Sequence, residues 1–244
     1  MATGRLKINP KVLERIRARR ASKEKFAEFI EWVQERPSTR FVFRGQEQKW
    51  SLKSSIGRSK KYKPEGELLL LQEFRRMALP YVSRSELVND WDWLAVAQHH
   101  GLPTRLIDWT TNALVACYFA SQPSSVGKRE GQIVAINTTE IGYYRPDDPE
   151  EVEPFDIPED RFIKPSALVN RIVNQKGLFS IHPMPNKAWQ PRKYKEEFVI
   201  PAEMKNDFQR LLFSMGVDAA FLMADLDGLT NTLKWRFETG VLTE

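Results

Sequence analysis

The chain has 244 residues, 41% of them hydrophobic and 11% aromatic, which excludes a disordered polypeptide and suffices for one large domain. Its one cysteine, Cys117, excludes an intrachain disulfide framework and a zinc site of the cysteine type. A formal net charge of +5, much of it local to residues 11–25 and 58–63, favours polyanionic partners, nucleic acid or nucleotide phosphates, against the plainer reading of a solvated basic face. In chain order, residues 1–9 lack the apolar run of a signal peptide, and no segment approaches the ~18 apolar residues of a membrane span. The expectation is a cytoplasmic protein with no membrane contact. Val12, Ile16, Phe26, Phe29, Ile30 and Val33 recur at helical spacing and predict a helix over 9–35, ended by Pro37 and Ser38. Residues 40–46 switch to strand character, 51–64 read as a basic loop, and 65–78 as a second helix closed by Pro80. A third helix is expected over 85–100, with Gly101 and Pro103 as its stop, followed by a short extended piece at 104–108. Residues 112–121 read as a helix with a small-residue face, and 132–137 as a strand. Residues 142–158, rich in Pro, Asp and Glu, read as an exposed excursion. Beyond them lie a short helix or strand at 166–174, a strand at 196–200, and helices at 205–215 and 226–237, the last capped by Asp225.

Two segments carry residues that the fold alone does not require. In Arg44-Gly45-Gln46 an arginine ends an apolar strand. Its planar fork suits a phosphate or carboxylate, and the glycine permits close backbone approach. The structural alternative is an arginine paired with a carboxylate such as Asp108. Residues 98–110 hold His99, His100, Arg105, Asp108, Trp109 and Thr110, a density of polar groups that predicts a hydrogen-bonded network where a helix passes into a strand. Either histidine also suits a helix C-terminus on dipole grounds alone. Their spacing matches no metal-binding pattern, and no metal is expected.

Phe43-Arg44-Gly45-Gln46, with Trp50 and Ser55-Ile56 downstream, resembles the opening motif of the FRG domain, a bacterial and phage family. The runs from Trp93 to Thr110 and from Asn112 to Ala120 are similar to its central signature. Arg171, Gln175 to Phe179 and Asp225 to Leu229 match its later pattern, so the resemblance spans residues 40–238 and leaves 1–38 as a helical N-terminal extension to an FRG domain at 39–244. The order of motifs also resembles, more distantly, the arginine-type ADP-ribosyltransferases. That resemblance implies an α+β fold, a twisted and largely antiparallel sheet with helices around it, and NAD as substrate. Arg44 would hold the dinucleotide phosphates, Thr110 would stand at the second motif, and Glu197 would be the catalytic carboxylate. Gln46, Arg105, Trp109 and Gln175 would help bind the dinucleotide, with Trp109 stacking on a base, and His99 and Asp108 would join the catalytic set. The sequence departs from that pattern at Asp108-Trp109-Thr110, where Ser-Thr-Ser is usual, and at Lys195, where a glutamate is usual. Gln175 is the alternative occupant of the third position.

Cleaving the nicotinamide–ribose bond builds positive charge on the ribose, so a carboxylate near the sugar and an arginine on the pyrophosphate are the residue types the chemistry needs. Three readings follow. The first is an NAD-consuming enzyme, transferase or glycohydrolase, acting as a toxin or phage-defence effector. The second is a nucleotide- or nucleic-acid-binding module without turnover, which uses the basic N-terminal helix, Trp50 and residues 58–63; a protein partner is a separate expectation. The third is a hydrolase or nuclease run by His99, His100 and Asp108.

Overall fold

In a computed structural model of the chain, the described residues are 9–82, 87, 89–139, 141–144, 152–164, 170–191 and 195–241. Helix α1 (Pro10–Gln34) opens at Asn9, whose side chain accepts the Lys11 N–H, with Pro10 in the first turn, where a missing N–H costs nothing. It leads to strand β1 (Phe41–Gln46), a short 3-10 turn at Ile56–Arg58, and helix α2 (Pro64–Ala78). Asn89 caps helix α3 (Asp90–His99) by accepting the Asp92 N–H. Strand β2 (Ile107–Thr110) then runs into helix α4 (Ala113–Ala120), capped in the same way by Asn112 on Leu114. Strands β3 (Gly131–Asn137), β4 (Tyr143–Tyr144) and β5 (Arg161–Ile163) follow, then helix α5 (Asn170–Asn174), β6 (Gly177–Ile181) and β7 (Lys195–Ile200). The chain closes with helices α6 (Lys205–Ser214), α7 (Ala219–Met223) and α8 (Leu226–Thr239), the last two capped by Asp218 and Asp225.

The strands form one seven-stranded sheet in the order β4-β5-β6-β2-β1-β3-β7, antiparallel at every pairing except β4 with β5. The fold is therefore mixed α+β with a largely antiparallel sheet. Side chains alternate between its faces. One face is covered in two blocks. Phe41, Phe43, Ile133, Ala135, Phe198 and Ile200 meet α1, α4 and α6 through Phe26, Phe29, Ala116, Phe208 and Leu212. Phe179 and Ile181 meet α2 and α3 through Leu71, Trp93, Leu94 and Ala97. The opposite face, with Val42, Ile107, Trp109, Val134, Phe162 and Leu178, is covered by the segments carrying Leu52 and Trp189, which bridge to each other.

The second half of α1 packs on the core, with Phe26 and Phe29 edge-on to each other and against Phe208 and Phe198. Several element bounds are corrected. The third helix begins at Asp90 rather than 85, with 83–86 and 88 outside the described residues, and the extended piece after it begins at Ile107. The excursion at 142–158 supplies strand β4 and buries Tyr144 and Ile157, while 145–151 lie outside the described residues. Strands β5 and β6 and helix α7 have no counterpart in the sequence reading, because pieces this short carry too little periodicity to register. No helix among the described residues is long and apolar enough to cross a membrane.

Candidate functional site

A cleft opens between the two core blocks, at the point where β1 and β2 part. The one register pair joining those strands among the described residues is Phe43 with Thr110. Beyond it the backbones separate, and the Arg44 side chain takes the place of a strand hydrogen bond, Nη1 donating to the Asp108 carbonyl at 2.7 Å. The same Nη1 lies 3.6 Å from the Asp108 carboxylate. Burial works against the Arg44 charge and lowers its pKa, with Asp108 opposing that shift and Arg58 adding to it. Its Nε is buried without a partner, and no hydrogen bond from Nη2 is made among the described residues.

The cavity holds about 250 Å³. Arg44, His99, Asp108 and Arg171 supply its charge or titratable groups, and Phe119, Ile172 and Phe179 its apolar wall. Gly45 is why α4 lies close enough to form that wall: a Cβ at this position would sit 1.8 Å from the Ala116 carbonyl oxygen. The close approach that the Arg-Gly pair permits is thus made by a helix backbone of the protein itself.

Asp108 is held from behind. Gln98 Nε2 donates to its Oδ1 at 3.1 Å, while Gln98 Oε1 accepts from the Thr104 hydroxyl, so the amide is oriented by two partners. Gln98 was not singled out in the sequence as a site residue. Its signal was its place at the start of the polar run ten residues before Asp108. Arg171 is the other cleft cation that the sequence reading left without a role. His99 ends α3 with its ring edge-on to His100, centroids 4.7 Å apart. Burial first, then the charges of His100 and Arg171, lower its pKa below the ordinary 6.5, with Asp225 pulling the other way. Thr110 and Gln175 also line the cleft, but the Thr110 hydroxyl is engaged by the backbone. It donates to the Gln175 carbonyl at 2.6 Å and accepts the Asn112 N–H at 2.9 Å. The Gln175 amide, just past the end of α5, donates to the Leu222 carbonyl of α7 at 3.1 Å.

Four of the expected site residues sit elsewhere. Trp109 contributes to the cleft wall, but its indole is buried in the opposite face of the sheet, edge-on to Phe162 and Trp189, with Nε1 donating to Ser180 at 2.8 Å. That leaves no face for stacking a ligand. Arg105 is buried and forks onto both carboxylate oxygens of buried Glu67, at 2.8 and 2.9 Å, with Nη1 on the Pro154 carbonyl. Gln46 is buried at the end of β1 and is not part of the cleft lining. Glu197 is also absent from that lining and pairs with Lys195 at 2.5 Å. Burial opposes its ionisation, yet the bonds to Lys195 and Gln132 and the charges of Lys195 and Lys49 prevail and keep its pKa below the usual value. Register aligns Arg44 with Val134, and Val134 with Glu197, so the two expected partners spring from the same sheet face two strands apart, about 10 Å by strand spacing.

A further polar chain lies outside the cleft. Asp160 bonds His182 Nδ1 at 2.9 Å, and His182 Nε2 bonds Ser180 Oγ at 2.9 Å. The order acid, imidazole, hydroxyl is that of a nucleophilic triad. Ser180 is nevertheless 1% exposed and its oxygen already accepts the Trp109 N–H, so this chain ties β2 and β6 to the Asp160 segment. Among the described residues, no group of three or more His, Cys, Asp or Glu side chains is placed to hold a metal ion.

The elements that build one side of the cleft, β1, α3, β2 and α4, fall within one family pattern. Residues 39–128 match the FRG domain. The FRG match contains Arg44, Gly45, Gln98, His99, Asp108, Thr110 and Phe119, and it ends before β3. Arg171, Gln175 and β6, which close the other side, lie beyond it. No curated protein matches the chain, and no solved structure does.

Proposed function

We propose that the Arg44 cleft binds a nucleotide through its phosphates, that the ligand is NAD, and that the domain cleaves the nicotinamide–ribose bond as a glycohydrolase or ADP-ribosyltransferase. The observation that carries this reading is the Arg44 guanidinium, fixed by the Asp108 carbonyl and lining a cleft beside a second cation, Arg171, with no bond from Nη2 among the described residues. The distant resemblance in motif order to ADP-ribosyltransferases supports NAD over other nucleotides. Arg44 and Arg171 anchor the pyrophosphate, and Phe119 offers the aromatic surface that Trp109 does not. The C–N bond breaks with its electron pair leaving on nicotinamide. The charge on the ribose is stabilised by Asp108, the carboxylate on the cleft wall, in the role that motif order alone gives to Glu197. A water or an acceptor hydroxyl then forms the new C–O bond and passes its proton to Asp108 or to neutral His99. Depletion of NAD in this way suits a toxin or phage-defence effector.

A second reading is recognition without turnover. It is favoured by the cavity, whose 250 Å³ falls below the ~300–1,000 Å³ of sites that enclose drug-sized ligands, so that part of a dinucleotide would stay outside it. Calorimetric titration with ADP-ribose, AMP and nicotinamide separates the parts of the ligand. Phosphate anchoring predicts binding of ADP-ribose and AMP that Arg44→Ala abolishes. Binding of nicotinamide alone, untouched by Arg44→Ala, would rule out the phosphate role.

A further inference from the structure

Helix α1 carries a second feature, remote from the cleft in sequence and outside the FRG match. Every residue from Pro10 to Ala21 is exposed, and Ser22 is the first buried one, its hydroxyl donating to Asp207 at 2.7 Å. Twelve residues, about 18 Å of helix, therefore stand free of the core. The spacing of charge along this piece is regular. Lys11, Arg15, Arg19 and Lys23 recur every four residues and form one stripe of cations about 6 Å apart. None of the four makes an ion pair among the described residues, in contrast to Arg20, which bonds Glu24 at 2.9 Å. Arg19 and Lys23 share a shallow depression with Arg210 and Asp207 of α6, so one further cation and one acid stand where the stripe meets the body.

This arrangement opposes the stability of the free helix. Like charges four residues apart repel, cations near a helix N-terminus face the positive end of the dipole, and the first turn has no acidic residue to offset them. A polyanion laid along the stripe reverses all three terms. We infer that the exposed half of α1 is a docking element for the phosphate backbone of duplex DNA, read without sequence specificity through the Lys11–Arg15–Arg19–Lys23 stripe. The major groove of B-form DNA accepts an α-helix with phosphates on both sides, which the narrow groove of A-form RNA does not. The free half of α1 carries no aromatic side chain for stacking on single-stranded bases. An acidic membrane surface fits less well, because Val12, Leu13 and Ile16 make an apolar patch of only three residues, bordered by Arg17 and Arg20 and too short to insert a helix face.

The test is fluorescence anisotropy with a 20-base-pair DNA duplex and the full chain, from 50 to 200 mM salt. Four phosphate contacts give a log–log slope of about −3.6, a loss of about 150-fold across that range. Arg15→Gln with Arg19→Gln, which keeps good helix formers, reduces the slope to about −1.8, and Arg15→Lys with Arg19→Lys leaves it in place. Circular dichroism and ligand binding at the Arg44 cleft should be unchanged in both double variants. Absence of duplex binding by the natural chain overturns the inference. An unaltered slope in the glutamine variant does so too, as does binding to acidic phospholipid vesicles without binding to the duplex.

Discussion

Arg44 Nη1 reaches the backbone carbonyl of Asp108 at 2.7 Å and its carboxylate at 3.6 Å, so one guanidinium both closes a gap in the sheet and faces the acid on the cleft wall. The two residues are 64 apart in sequence, and the geometry makes each depend on the other. Arg44→Ala should abolish binding of a phosphate ligand while costing about 1 kcal/mol of stability through the lost bond to the carbonyl. Arg44→Lys should recover most of that stability but little of the affinity, because an ammonium does not bridge carbonyl and ligand as a fork does. Denaturant midpoints beside ligand titrations separate the two effects. Global unfolding of Arg44→Ala would assign the residue to structure alone.

Gly45 tests a different link, from sequence to packing. A methyl group placed 1.8 Å from the Ala116 carbonyl oxygen forces α4 off β1. Gly45→Ala should therefore destabilise by about 3 kcal/mol, the upper end of overpacking costs, and ligand binding should fall with the displaced Phe119 wall. Urea unfolding reads the first effect. A variant as stable as the natural chain would refute this packing account.

Arg105 and Glu67 form a buried bidentate pair, and removing one partner leaves a buried charge uncompensated. Arg105→Ala is expected to cost about 3–5 kcal/mol, and Arg105→Met combined with Glu67→Leu much less. This pattern in thermal melts separates a structural arginine from a ligand-binding one, for which the double variant would keep the fold and lose the ligand.

His99 gives the fold a pH dependence with a definite sign. Its pKa in the folded chain lies below 6.5, so on acidification the unfolded chain takes up the proton first. Stability from this site is complete above about 6.5 and declines as the pH falls from there through the lowered folded-state value. His99→Asn should flatten that part of the stability–pH profile, as followed by thermal melts between pH 7.5 and 5.

Much of this structure was legible in the sequence. The helices with long apolar periodicity and clear caps, such as α1, α4 and α8, stand within a few residues of where spacing puts them, and Arg44 lies on an interior strand beside Asp108. What stayed hidden depends on tertiary contact. Strand β5 has three residues and no alternation to read. The partner of Arg105 is 38 residues away in α2, so no local pattern signals it. Trp109 differs from Asp108 by one strand position, and that single step sends its indole to the far face. Gln98 reads as one polar residue near the end of a helix until the fold brings its amide to Asp108.

The proposed reaction is the cleavage of NAD in the cleft between Arg44 and Asp108. The most direct measurement is NAD consumption by the purified full chain, run beside Arg44→Ala, Asp108→Asn and Glu197→Gln. The account predicts turnover by the natural chain, a loss of at least about 100-fold in the first two variants, and retention of most activity in Glu197→Gln. No turnover by the natural chain, or turnover unaffected by Arg44→Ala and Asp108→Asn, would contradict it.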